Sequence, residues 1–307
     1  MSVRWSERVA WSGVILYSLL TFGISWALWL GLRAVGVPFT IRAAVGMFGP
    51  ALGAVLVRLV RREGFADAAL RVVPKDRPGA GRMYFAAYIT VPLLVFAGMA
   101  IALLTTYQHW DLAAFMQSQA RAIASAAATR GQALPLGLGA REVAHISILA
   151  GVALSFTLAI PFNMIFTFGE EFGWRGYLLP RLSPLGGVTA AVISGAIWGL
   201  WHAPLILLDG YNYPGHPVSG LGMMVVFTTA LGVILAWLRF RSGSVWPSTL
   251  AHAALNAQAG LGFVFLSPGA PLIRPPVGIL GLIPMIALAL WLAATKRVIP
   301  DASPTVK

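Results

Sequence analysis

Eight apolar stretches dominate this sequence and decide what it can fold into. They run at about 11–32, 43–56, 84–106, 146–168 (continuing towards Arg181), 187–208, 220–238, 245–265 and 276–294. A helix needs roughly 20 mostly apolar residues to cross the hydrocarbon of a bilayer. Backbone groups at that depth must be satisfied within the protein, which leaves the helix as the element for such segments. The expectation is an all-α polytopic bundle of about eight transmembrane helices, a single integral membrane domain over 1–307. The second stretch is short, so it begins near Ile41 or runs past Arg58. The first exceeds a signal-peptide core and no small-residue cleavage site closes it, so it reads as a retained helix.

Composition supports this. Of 307 residues, 58% are hydrophobic and only 10% are charged, against about 25% charged in a soluble domain. Cysteine is absent, which excludes disulfides, thiolate metal ligands and a cysteine nucleophile. The net charge of +12 would suggest nucleic acid in a soluble domain. Here the loops carry it and it orients the chain, so no nucleic-acid partner is expected. The 22 basic residues include only Lys75, Lys296 and Lys307 as lysines. Arginine and alanine in excess of lysine hint at a GC-rich bacterial genome, hence a bacterial cytoplasmic membrane.

With the N-terminus inside, the inner segments hold 16 Lys and Arg and the outer ones six: Arg33, Arg42, Arg121, Arg130, Arg141 and Arg274. Both termini are therefore expected in the cytoplasm. Two loops are long. Segment 61–82 is basic, with Pro74 and Pro78, and reads as a connector on the anionic cytoplasmic surface. Segment 107–145 is external, and its middle, 111–128, suits a helix on the membrane surface. Trp5, Trp11, Trp110, Trp237 and Trp246 read as interface anchors.

Against this apolar background a few polar residues stand out. Glu170, Glu171 and Arg175 follow directly on the fourth stretch. Trp198 with His202, and His252 with Asn256, are each spaced four apart in later ones, so each pair shares a helix face. Ionisable groups at membrane depth are costly and mark working sites. At about 1.5 Å per residue, Glu170 lies roughly 16 Å from the inner end of its stretch, His202 roughly 22 Å, and His252 and Asn256 roughly 10 to 17 Å. All fall in the middle of a core about 30 Å thick, where they can line one cavity.

Residue type sets the chemistry. Desolvation makes a carboxylate a competent base near neutral pH, able to activate water. A histidine can position that water and later pass on a proton. A second histidine and an asparagine, one turn apart, can give two N–H donors to an oxyanion. Glu171 and Arg175, at i and i+4, can pair and leave Glu170 to react.

These residues resemble the CPBP family of intramembrane proteases, which includes the CAAX prenyl endopeptidases and the bacterial Abi proteins. The family pattern EExxxR, then aromatic-xxx-His, then HxxxN reads here as Glu170-Glu171-Phe172-Gly173-Trp174-Arg175, Trp198-Gly199-Leu200-Trp201-His202 and His252-Ala253-Ala254-Leu255-Asn256. The motifs cover 166–256, within a catalytic core of about 146–268. The resemblance implies a membrane-embedded endopeptidase acting on a membrane-anchored peptide or protein, of prenylated CAAX type in part of the family. It implies Glu170 as the base, His202 as a holder of the water, and His252 and Asn256 as oxyanion stabilisers. Glu171, Arg175 and Trp198 would shape the site. Trp198 departs from the more usual phenylalanine, and its ring can still pack one turn from His202.

The cofactor stays open at this point. Glu170, His202 and His252 are the donor types of a three-ligand zinc site with an open position. The HExxH helix is absent, however, and a metal-free glutamate–histidine mechanism also serves this pattern. A divalent ion such as zinc is compatible with the residues and not required by them. Rhomboid-type (GxSG), aspartyl and site-2-type sites fit worse, and Leu208-Asp209-Gly210 without HExxH reads as a helix end. The rival from another class is a transporter or a non-catalytic immunity or scaffold protein. Pro161 and Pro204 can break helices as transporters do, but no internal repeat is found. Substrate flux in liposomes that survives Glu170→Gln would favour transport.

Overall fold

The computed structural model describes residues 9–300. The tail residues 1–8 and 301–307, with Trp5 and the tail charges that enter the orientation count, lie outside them. Among the described residues the chain is helical, without a sheet.

Helix α1 (Trp11–Ala34) crosses first. Helices α2 (Phe39–Gly46) and α3 (Gly49–Arg61) together form one apolar span, so the short second stretch extends at both ends. Helix α4 (Ala80–Leu104) follows the basic loop. Outside the apolar spans, α5 (Leu112–Arg130) fills the polar segment 107–145 with a helix that has no buried residue. The Asp111 side chain accepts the Ala114 N–H at 3.2 Å and caps its start.

Helix α6 (Ala140–Ser155) leads to α7 (Ala159–Gly173), a π-wound segment (Trp174–Leu178) and α8 (Leu179–Leu182). The stretch expected to be one helix is thus bent by 52° between α6 and α7. Helices α9 (Gly187–Trp201) and α10 (Ala203–Asp209) share one span that breaks at His202. Pro204 lacks the N–H that would continue α9. The remaining helices are α11 (Pro217–Ser242), α12 (Trp246–Gln258), α13 (Leu261–Phe265) and α14 (Ile279–Ala294).

Among the described residues, five helices qualify as membrane spans by length and apolarity, or six with the bent α6–α7 pair counted as one. The eight expected from the apolar stretches are therefore not all full spans. The seventh stretch divides into α12 and α13 near Gly260, and the eighth yields the 16-residue α14. At 1.5 Å per residue that is about 24 Å, short of the hydrocarbon thickness. Helix α12 is a core helix, with Ser248, Thr249 and His252 all buried. An apolar run reports burial and does not say whether lipid or protein covers it.

Small residues set the tightest packing. Gly195 and Gly199 lie one turn apart on α9, facing α11. A Cβ on Gly199 would lie 2.5 Å from the Val225 Cα, and one on Gly195 would lie 2.7 Å from the Thr229 Cα. This small-xxx-small approach substitutes for the hydrophobic drive that lipid does not supply. The Thr228 hydroxyl crosses the contact to the Gly195 carbonyl at 2.9 Å. Gly169 and Gly173 do the same on α7, where a Cβ on Gly173 would lie 2.5 Å from Pro50 and from the Tyr17 Oη. Glu170 and Glu171 sit inside that Gly-xxx-Gly and are carried into the bundle with it.

Gly199→Ala should lower the unfolding free energy in detergent by about 1–3 kcal/mol, the usual cost of overpacking. Gly222→Ala on α11, where a Cβ meets nothing within 4 Å, should leave it unchanged. Equal effects in thermal denaturation would refute the α9–α11 contact.

Candidate active site

The three motifs meet. Glu170, Trp198, His202, His252 and Asn256 all line one cavity of about 110 Å³, room for several waters. Helix α7 brings Glu170, the break between α9 and α10 brings His202, and α12 brings His252 and Asn256. Glu170 is 3% exposed and Glu171 0%. Asn256 is exposed at the cavity edge, and His202 is half-buried.

The two adjacent glutamates have different partners. Glu171 Oε1 accepts from Arg175 at 2.9 Å, the i, i+4 pairing that the spacing implies. The same oxygen lies 3.0 Å from His252 Nδ1, and as a carboxylate oxygen it accepts there too. Glu170 has no guanidinium. Its Oε2 accepts the Trp198 indole N–H at 2.7 Å and, more weakly, the Trp174 indole N–H at 3.4 Å. Both indoles address one oxygen, so Oε1 is left to the cavity.

Both histidines are fixed in orientation by Nδ1. That of His202 lies 3.0 Å from the Trp198 carbonyl, to which it must donate. Nε2 of His202 is then a lone-pair acceptor. His252 gives Nδ1–H to Glu171. The Trp198 ring sits edge-on to His252, with centroids 5.1 Å apart, and the Arg175 guanidinium lies 4.6 Å from its centre. Trp198 therefore touches Glu170, His202, His252 and Arg175. A phenylalanine could stack in the same place but could not supply the N–H to Glu170.

Below the glutamates the protein is closed. Tyr17 on α1 stacks on Tyr177 at 4.9 Å and meets Trp174 edge-on at 5.8 Å. Buried Arg58 donates to the carbonyls of Gly64 at 2.6 Å and of Gly176, inside the π segment, at 2.8 Å. It also pairs with Asp67. Arg181 binds Asp67 and Glu63. Burial would raise the Glu63 carboxyl, yet Arg61 and Arg181 hold it below its ordinary value. π turns gather at working sites because they displace side chains from the regular helical register. Here the start of the loop at 61–82 is a clamp on that turn, where the sequence reads as a connector.

The geometry also bears on metal. Glu170, His202 and His252 are the set that would hold one, yet among the described residues no three His, Cys, Asp or Glu side chains gather in a ligating arrangement. These side chains do not fit a three-ligand zinc site as they stand. Elsewhere, Asp209 is a two-armed partner of Arg42, at 2.7 Å on each arm, and also meets Arg33. It ties the C-terminal ends of α1 and α10 to α2.

Sequence reading missed three features: the indole clamp on Glu170, the bond between Glu171 and His252, and the Arg58–Arg181 clamp. Only Trp174 had a local signal. It stands four residues after Glu170, as Arg175 does after Glu171.

Comparison with known proteins follows these motifs. The family model described as "Type II CAAX prenyl endopeptidase Rce1-like" matches residues 147–258, which contain all seven residues singled out above. The CAAX prenyl protease 2 of Methanococcus maripaludis is 31% identical over 98 residues, covering 30% of this chain and 36% of the relative. The chain thus spans about a third of the length of the curated relative that it matches. The family resemblance carried by the motifs is borne out by both.

Breaking a buried charge pair by removing one partner costs about 3–5 kcal/mol. Glu171→Gln should lower unfolding stability in detergent by that order, and Glu171→Gln/Arg175→Met should recover part of it. A single variant as stable as wild type would show that the pair holds nothing.

Proposed function

We propose that this chain, whose segment 147–258 belongs to the CAAX prenyl endopeptidase family, is an intramembrane endopeptidase that hydrolyses a peptide bond in a membrane-anchored peptide or protein. The observation that carries this reading is the division of labour between the glutamates. One is held by indole N–H groups with an oxygen left over, and the other is committed to Arg175 and His252.

A water in the cavity gives one hydrogen to Glu170 Oε1 and the other to His202 Nε2. Glu170 takes the proton as the water oxygen bonds to the scissile carbonyl carbon. The carbonyl oxygen becomes an oxyanion and accepts from the Asn256 amide and from His252. Since Nδ1–H of His252 goes to Glu171, its Nε2 bears a hydrogen only as imidazolium. Glu171 supplies the countercharge for that form. When the C–N bond breaks, the proton on Glu170 passes to the leaving amine. The two carboxylates then face Arg175 and His252, and such pairing lowers the cost of charge at membrane depth. Trp198 holds Glu170 and His202 in place. No step passes through a metal. The substrate class includes lipid-anchored proteins, with prenylated CAAX types among them, in the membrane of a bacterial cell.

Glu170→Ala, His202→Ala and His252→Ala should each abolish cleavage of a quenched lipidated peptide by purified, folded protein. Full activity in any of them would remove that residue from the mechanism. Trp198→Phe should lower kcat by about 10-fold or more with KM nearly unchanged, the worth of one hydrogen bond to a charged group. A change confined to KM would contradict its place beside the base.

A further inference from the structure

Two further cavities lie side by side between α5 and the bundle, and neither shares a lining residue with the active-site cavity. The larger, of about 440 Å³, is a groove bounded by α5, α6 and the junction of α12 with α13. Phe115, Ile123, Ile148 and Val152 give it apolar walls. Gly151 and Gly260 line it too, and a Cβ on either would meet nothing within 4 Å. Helix α5, which has no buried residue, covers the groove only in part.

The smaller cavity, of about 350 Å³, carries charge. Arg121 on α5 and Arg274 before α14 line it together with Gln108. It adjoins the groove at Phe115 and Phe263, which line both. The Arg274 guanidinium lies over the Phe263 ring, 4.2 Å from its centre, where the two spaces meet. Asp111 is the one carboxylate among its lining residues. Its Oδ1 caps α5 through the Ala114 N–H at 3.2 Å, and its Oδ2 lies 3.9 Å from the His109 ring. The two guanidiniums therefore outweigh it. Buried Gln108 donates Nε2 to the Ser267 carbonyl, and its Oε1 has no partner among the described residues.

These features select one kind of occupant. An unfilled apolar groove forfeits dispersion contacts along its walls, and in a bilayer the chains at hand are acyl chains. The groove follows α6 from Ala144 to Ser155, about 16 Å of helix at 1.5 Å per residue. That is half of a hydrocarbon core about 30 Å thick, the depth of one leaflet. Arginines attract anionic headgroups, and a guanidinium offers paired donors that match a phosphate. A zwitterionic headgroup would bring its own ammonium beside the same arginines.

We infer that the paired cavities are a binding site for one anionic phospholipid, with its phosphate against Arg121 and Arg274 and one acyl chain in the groove along α6. A glycerol headgroup supplies a hydroxyl for Gln108 Oε1. The chain packs on Ala257 and so braces α12, the helix that carries His252 and Asn256. The site holds its lipid whether or not the neighbouring cavity hydrolyses peptides.

The test is native mass spectrometry of delipidated protein in detergent, titrated with phosphatidylglycerol or with phosphatidylcholine of the same chains. One phosphatidylglycerol should bind the wild type about 10-fold or more tightly than phosphatidylcholine does. Arg121→Gln/Arg274→Gln should remove that preference. Gly151→Leu, which puts a side chain into the groove, should weaken both lipids. Equal affinity for the two lipids in the wild type would overturn the site, as would a preference that survives the double substitution. So would Gly151→Leu binding phosphatidylglycerol as tightly as the wild type. Displacement of the bound phosphatidylglycerol by a lipidated peptide would assign the groove to a substrate's anchor instead, and would equally overturn it.

Discussion

A carboxylate with nothing but protein around it holds this site together. Glu171 is fully buried and its Oε1 receives both Arg175 and His252. Lipid depth makes an isolated charge expensive, so each member depends on the others. From that requirement follow the fixed ring of His252, the position of Arg175 against the Trp198 face, and the binding of Glu170 by indole N–H groups in place of a guanidinium. The ion pair is an organiser, and its contribution to net stability is secondary.

Backbone proximity makes the arrangement possible. The Gly169–Gly173 spacing lets α7 press on α3 and Tyr17, and the Gly195–Gly199 spacing lets α9 press on α11. Across the bundle, Trp198 on α9 reaches Glu170 on α7. The π turn after Glu171 then carries Trp174 and Arg175 back towards the two carboxylates. Its carbonyl at Gly176 is taken by Arg58 from another helix. The cavity is consequently closed on the side of Tyr17, Trp174 and Tyr177.

Much of this was readable from residues alone, for reasons that can be stated. Apolar runs announce helices because lipid and protein interior demand the same side chains. That same equivalence hides which runs are spans: 245–265 reads as a membrane crossing and is a buried core helix with a short successor. The i, i+4 spacings gave Glu171 with Arg175, and the helix expected at 111–128 is observed at Leu112–Arg130. Contacts remote in sequence had no such signal. Trp198 donates to Glu170 across 28 residues and His252 to Glu171 across 81. Likewise Glu63 and Asp67 look like loop charges until α3 and α8 bring Arg58 and Arg181 to them.

The central claim is that water activated by Glu170 attacks a peptide carbonyl in this cavity. The most direct measurement is cleavage of a lipidated peptide in water enriched in the heavy oxygen isotope, with mass analysis of the new C-terminus. One heavy oxygen in the product of the wild type, and no product from Glu170→Gln, is the predicted result. Product formed equally by Glu170→Gln, or a wild-type product without the label, would contradict the account.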